Sequence, residues 1–444
     1  MKKSLLYTAM ACATVFTTAA QAEFEASGYV GFEWREHFQE GQFDNDDVTQ
    51  ADRQLSLTFE PEFAWDFADG QHIVVFKPYG RYDNEDEERT HGDIRELSWL
   101  TFGDDWEIKA GISKVYWGVT ESQHLVDIVN QTDFVEAPDG EEKLGQPMVK
   151  LSLVRDWGLI DAFVLPTFRE RTFPGEDGRL RPGIKINTSD AQYQAEEEQD
   201  HIDYALRWSH TIEDYDIGLS YFNGTSRDPA LLPEFAGPTV LPETDEFGNP
   251  TGSANILAED NTILSLTPLY LQIQQVGLDI QATLDSWLWK LEAIHREFDS
   301  YTQNIARGNE VISQEFDFED YTAATGGFEY TLYGIQETDW DLGLLTEYQY
   351  DSRDDSAQAT GQNDAFFGGR LALNDAASSE ILFGISQDLD DTETRGVLLE
   401  AETRIGETIK FNVDMFIFMS DEEDNINYQF RQDDYIQATL NYYF

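Results

Sequence analysis

The chain has 444 residues, with 29 Lys and Arg against 86 Asp and Glu, a formal net charge of −57. Phosphate binding needs a basic face, so this balance excludes a nucleic-acid partner. Acidity with few aromatics would read as disorder, but 10 Trp, 20 Tyr and 29 Phe give the chain ample apolar surface to fold.

The first stretch, MKKSLLYTAMACATVFTTAAQA, places Lys2 and Lys3 before an uncharged apolar run and Ala20-Gln21-Ala22. That order predicts a secretory leader over 1–22, removed before Glu23, with 23–444 as one domain. The mature chain would then hold 444 − 22 = 422 residues and, without Lys2 and Lys3, a net charge of 27 − 86 = −59. The single cysteine, Cys12, falls in the leader, which excludes a disulfide scaffold and thiol chemistry in the remainder.

Strand 24–35 opens the mature chain. In QLSLTFEPEFAWDF, Leu55, Leu57, Phe59, Pro61, Phe63, Trp65 and Phe67 share one face. Gln54, Ser56, Thr58, Glu60, Glu62, Ala64 and Asp66 share the other. Period-two alternation marks a strand with one greasy and one watery face. Its length exceeds the usual 5–6 residues of soluble strands and suits the roughly 9–11 residues of a tilted membrane strand. ADGQ turns the chain, and 72–83 returns. The unit recurs in order: 92–103 with 106–117, 147–155 with 158–168, 200–211 with 215–224, and 270–284 with 286–298. Then come 318–335 with 338–351, 364–374 with 378–388, 395–405 with 408–420, and finally 433–444. The fold class predicted is all-β, a transmembrane antiparallel barrel of about 18 strands. Every second connection is tight and the others are long, the asymmetry of short periplasmic turns and long external loops. No mature segment approaches the roughly 18 apolar residues of a membrane helix, as expected where alternation hides the apolar face.

Tryptophan supports the same topology. Trp65, Trp106, Trp157, Trp208, Trp287, Trp289 and Trp340 lie beside tight turns, where an interfacial aromatic belt would sit. The last strand alternates Ile436, Ala438, Leu440, Tyr442, Phe444 and is expected to pair with the first, removing the sheet edge. An alternating tail with Tyr442 and Phe444 resembles the C-terminal signal that the barrel-assembly machinery of Gram-negative outer membranes reads. A barrel of this size can hold a water-filled lumen.

One internal stretch carries a further resemblance. Arg95-Glu96, Gly111, Val115, Trp117-Gly118, Asp127 and Asn130 follow the order Arg-Glu, turn, Gly-x-x-x-Val-x-Trp-Gly, Asp-x-x-Asn. This resembles a porin-like family of Gram-negative outer-membrane proteins over about 40 residues. The family often has proline after the asparagine; here Gln131 stands there. The resemblance implies a porin-type barrel and leaves the solute open.

Physically, HLVDIV after Trp117 is apolar for a water-exposed loop. Infolding that narrows the pore over 118–146, or packing on the external rim, would each explain it. FRERTFPGEDGRLRPGIK brings Arg169, Arg171, Arg179, Arg181 and Lys185 together. They either set a transverse field across a pore or neutralise neighbouring carboxylates through ion pairs. Strand phase places Lys77, Arg81, Lys109 and Arg207 toward the lumen, with Glu60, Glu62 and Asp66 beside them. One bulge would invert such an assignment. The acidic runs DNEDEE, DLDD and SDEED fall in expected external loops and lack the calcium-loop spacing.

Catalysis is not expected. His37, His91, His124, His201, His210 and His295 are scattered, Asp200-His201 is one adjacent pair, and neither HExxH nor a nucleophile elbow occurs. No cofactor or metal is predicted. The reading is an outer-membrane porin-type channel for passive diffusion of small hydrophilic solutes. Its partners would be lipid, lipopolysaccharide and the assembly machinery, and the alternation fits monomer and homo-oligomer equally. The alternatives are a channel selective for anionic or aromatic organic compounds, and a non-conducting structural or adhesive barrel.

Overall fold

The computed structural model describes residues 23–43, 49–136, 139–235, 239–244, 250–258, 263–307, 310–316, 318–354, 361–423 and 425–444. The expected leader over 1–22 lies outside them. Eighteen strands close into one antiparallel barrel. They are β1 Glu23–His37, β2 Arg53–Phe67, β3 His72–Asp83, β4 Gly92–Phe102, β5 Trp106–Ser113 and β6 Gln146–Arg155. Next come β7 Gly158–Leu165, β8 Asp203–Ile212, β9 Tyr215–Thr225, β10 Gln272–Leu284, β11 Trp287–Phe298 and β12 Tyr321–Leu332. The last six are β13 Asp341–Asp351, β14 Asn363–Ala372, β15 Glu380–Asp388, β16 Arg395–Ile405, β17 Ile409–Met419 and β18 Tyr435–Tyr443. Each pairs with its chain neighbour, and β18 closes on β1 from Tyr29↔Tyr443 to His37↔Tyr435.

Alternation decides which face meets which medium. On β2, Leu55, Leu57 and Phe59 are exposed on the outside, while Gln54, Ser56 and Thr58 are buried on the inside. The same phase runs round the barrel: Leu206, Leu219, Val276, Leu291, Leu344, Phe367, Phe383 and Leu440 are exposed. A continuous apolar outer surface in a closed barrel satisfies every backbone group while facing hydrocarbon. Trp106, Trp157, Trp287, Trp289 and Trp340 all stand exposed beside the short turns. Phe444 donates its N–H to the Gly28 carbonyl and stacks at 6.4 Å on Phe59, so the closing strand is held from both sides.

The tight turns include 68–71, 213–214, 285–286 and 406–408, where Asp69, Glu213, Asp285 and Gly406 take positive φ to reverse the chain. Several strand ends fall inside the expected limits. The expected strand 106–117 stops at Ser113, because the chain then leaves the wall; 158–168 stops at Leu165, and 200–211 begins at Asp203. The long connections also hold structure that the alternation did not announce. Ala230–Phe235, Ile263–Tyr270 and Gln192–Tyr193 form a small sheet, and Tyr301–Arg307 with Glu310–Phe316 and Thr239–Thr244 with Pro250–Ala258 form hairpins.

A bulge breaks the phase of β4. Pairing between β3 and β4 shifts between Lys77 and Pro78, so that Lys77 faces Glu96 and Pro78 faces Ile94. Arg95 is the extra residue. It turns into the lumen beside Glu96, which a strict period of two would forbid.

Candidate functional site

After β5 the described residues of 114–145 leave the wall and cross the interior of the barrel. The apolar stretch among them explains why. Trp117, Val126, Ile128 and Val129 pack on Met148, Phe163, Leu165, Ala205, Phe222, Ile273, Ile294, Tyr321 and Ala323, which are inward positions of β6–β12. Val126 and Val129 are fully buried. Burial at roughly 25 cal/mol per Å² of apolar surface makes this a small core inside a polar lumen.

Four of the motif residues, Trp117, Gly118, Asp127 and Asn130, shape and hold that loop. Asn130 Oδ1 accepts the Val115 N–H at 2.9 Å, and its Nδ2 donates to the Ser113 and Leu144 carbonyls at 3.0 and 2.8 Å. One side chain therefore ties together the two limbs of the loop. Asp127 Oδ1 accepts the Trp117 N–H, and its other oxygen faces Lys143 at 3.5 Å. Burial pushes the Asp127 carboxyl up to about 6, against the pull of Lys143 and the Trp117 N–H. The Trp117 ring lies edge-on to Phe163 and under the Arg207 guanidinium at 5.2 Å. Gly118, at φ +144, lies where a Cβ would come within 3.0 Å of Glu292 Oε1 and of the His124 ring. Gln131, in place of proline, is fully buried and donates Nε2 to the Arg169 carbonyl.

On one wall, two carboxylates hold the tip. Glu292 of β11 accepts the N–H groups of Val119, Thr120 and Val126 and the Thr120 hydroxyl, at 2.6–3.2 Å. Glu347 of β13 accepts Glu121 and Ser122 N–H and the Ser122 hydroxyl. Glu121 itself pairs with Lys290 and Arg370, and Gln123 bonds Thr325. His124 sits between Glu141 at 2.8 Å and Glu292 at 3.9 Å. Burial opposes its charge, but the two carboxylates override it and push His124 up to about 10.

The far end of the loop is fixed on β1–β4. Glu136 pairs with Arg81 at 2.6 Å and accepts the Tyr79 hydroxyl at 2.8 Å. Asp133 pairs with Arg95 at 2.7 Å, and Arg89 donates to the Val135 carbonyl. Burial works against the charged Asp133, yet His91 and Arg95 hold its carboxyl down at about 2. His91, Asp133 and Glu136 stand close enough for a metal triad, but Arg95 and Arg81 already pair with the two acids. The loop thus reaches from β1–β4 to β11–β14, about half-way round the strand order.

Lys77, Arg81, Lys109 and Arg207, expected inside from strand phase, pair with acids of the same face. Lys77 pairs with Glu60 at 3.0 Å and approaches Glu62 at 3.7 Å. Lys109 pairs with Glu96, Arg207 with Asp279, and Arg81 with Glu33 and Glu136. The arginine segment is scattered instead of forming one cationic strip. Arg169 bonds Asp93 and the Gly145 carbonyl, and Arg171 pairs with Asp228. Arg179 is fully committed to Asp433 and the Gln39 and Gln432 carbonyls. Arg181 donates to the Glu176 and Pro182 carbonyls over the Phe43 ring. Glu292 and Glu347 were missed by the sequence reading. Their only signal was a carboxylate at an inward strand position, a property shared with many others.

The rest of the wall differs. Inward positions of β16–β18, among them Leu398, Glu400, Asn412, Asp414, Phe416 and Gln437, are half-exposed, and Glu402 is exposed. Here Glu400 lies directly opposite Asp414. Arg370 and Lys410 supply counter-charge through Glu380 and Glu402.

No protein-family model and no curated protein matches the chain. Among solved structures, Pseudomonas aeruginosa OccD3 (OpdP) is similar at 8% identity and TM-score 0.50, over 96% of this chain and 93% of that one. P. aeruginosa OccK8 (OprE) aligns at 11% identity and TM-score 0.46, over 95% and 98% of the two chains. Escherichia coli Wzi, described as a carbohydrate-binding outer-membrane barrel in capsule assembly, aligns at 8% and 0.46, over 93% and 83%. The likeness to OccD3 is one of fold: this chain is a closed, 18-stranded antiparallel β-barrel.

Proposed function

We propose that the protein is a porin-type channel of a Gram-negative outer membrane, passing small hydrophilic solutes passively through a lumen narrowed by the 114–145 loop. The observation that carries this reading is the unequal interior. The loop buries the inward positions of β6–β12 around Trp117, while inward residues of β16–β18 keep water contact. Solutes would pass along that strip, between Glu121 and Glu141 of the loop and Glu400 and Asp414 of the wall. Carboxylates dominate it, so the channel should prefer cations. The reading includes a leader over 1–22, lipid and lipopolysaccharide around the belt, and assembly through the strand bearing Tyr442 and Phe444.

The arginines at 169, 171, 179 and 181 give no support to anion selectivity, because each is occupied by carboxylate or carbonyl oxygens. A second reading, a non-conducting barrel, draws on the apolar plug around Trp117. Reconstitution into a planar bilayer under a salt gradient separates the two. Stepwise conductance with a cation-signed zero-current potential is expected. Silence, or material that stays monodisperse without detergent, would sink the channel.

A further inference from the structure

The half-exposed wall carries rings as well as carboxylates. Tyr435, Phe416 and Phe418 hold inward positions of β18 and β17 and stack one after another, with centroids 5.3 and 6.5 Å apart. Phe430 of the loop 420–434 continues the row, 5.8 Å from Phe418. Rings set against water gain nothing from that exposure. Space lies beside them: Gly396 is directly opposite Phe418 on β16, and a Cβ added there would meet nothing within 4 Å. Phe418 also lines a groove of about 560 Å³ whose charges are mixed, Arg395 and Arg431 with Glu393, Asp421 and Asp434.

One end of the row shows what such rings can hold. The Arg35 guanidinium lies over Tyr435 at 4.6 Å, a cation on an aromatic face within the wall itself. Tyr435 is buried, whereas Phe416 and Phe418 remain half-exposed. The next inward position after Phe416 is Asp414, about 6.6 Å along the strand. Glu400 faces Asp414 from β16. Neither acid makes an ion pair among the described residues: Asp414 accepts the neutral Gln437 amide at 3.3 Å, and Lys410, further along β17, pairs with Glu402 instead.

We infer that this row, with the two acids beyond it, selects organic cations. An apolar or aromatic body lies on Phe416 and Phe418 while its ammonium reaches Glu400 and Asp414. The inference rests on the channel reading and names the solute class for it. Rings alone would take neutral solutes, and carboxylates alone any small cation. A solute that carries both parts gains from both, and an anion is repelled.

The test records potassium current through the full-length protein in a planar bilayer. It adds phenethylammonium, its neutral counterpart phenylethyl alcohol, or plain ammonium. Phenethylammonium should interrupt the current at concentrations where the other two do not. Phe416→Leu keeps the bulk and loses the ring; Glu400→Gln keeps the shape and loses the charge. Each should raise the half-blocking concentration about tenfold. Phe411→Leu, on the outer face of the same strand, should leave it unchanged. Absence of potassium current fails the channel and this inference together. A current that phenethylammonium leaves uninterrupted, an equal block by phenylethyl alcohol, or a half-blocking concentration unmoved in either conducting variant overturns the inference and leaves the channel standing.

Discussion

The two sides of the barrel interior are built from the same alternating strands and end in different states. Along β7–β13 the inward positions include a continuous apolar cluster among paired charges, and the loop docks on it until Phe222, Ile273, Ile294 and Glu292 are buried. Along β16–β18 the inward positions carry Glu400, Glu402, Asp414 and Lys410, and among the described residues no segment buries them. A patch rich in charge costs much to desolvate, whereas an apolar patch gains by being covered. The lumen is therefore narrowed from the side that can be dried.

That contrast can be broken most severely by deleting 121–135. Conductance should rise more than in any point variant, and an unchanged value would show that the loop does not govern the bore. Trp117→Ala comes next. A fully packed indole is worth about 3–5 kcal/mol, so hydrogen exchange at loop amides should accelerate strongly. Leu398→Ala, on the half-exposed wall, should cost only about 1 kcal/mol and leave those amides protected. Equal losses at the two positions would erase the distinction between the walls.

Glu292→Gln keeps the shape and removes the charge from an acceptor of four donors. Charge-assisted bonds of this kind are worth about 1.5–3 kcal/mol, and single-channel recordings should show added flicker between conductance levels. A quiet, wild-type trace would mean the loop is held by its apolar face alone. His124 sharpens the comparison through pH. Its pKa is raised from 6.5 to about 10, so the stabilisation it gives is complete below about pH 6.5 and is lost as pH rises through about 10. Conductance should climb over that interval, and His124→Asn should flatten the profile; a climb that persists in the variant assigns the effect elsewhere. The smallest change is expected from Glu400→Gln with Asp414→Asn. Cation preference should fall with loop protection untouched, and an unaltered zero-current potential would remove the strip as the solute path.

Much of this was legible in the residues. The phase of Leu55 through Phe67 told which face of β2 meets hydrocarbon, and it also placed Lys77, Arg81, Lys109 and Arg207 inside. The apolar HLVDIV segment announced a loop in need of cover without saying where the cover was. Arg95 was illegible, because a bulge is a property of pairing, and the partner strand imposes it. The hairpin at Tyr301–Arg307 was likewise hidden among loop residues, where short strands carry little alternation.

Strand number, facing and closure follow from the sequence because a period of two is local: each side chain's side is set by its immediate neighbours and by the medium on each face. Which acid holds which donor was decided only in three dimensions. Glu292 and Thr120 lie 172 positions apart, and nothing in either neighbourhood names the other. Their meeting depends on where the barrel closes and on how far an apolar loop can reach before it finds a wall able to exclude water.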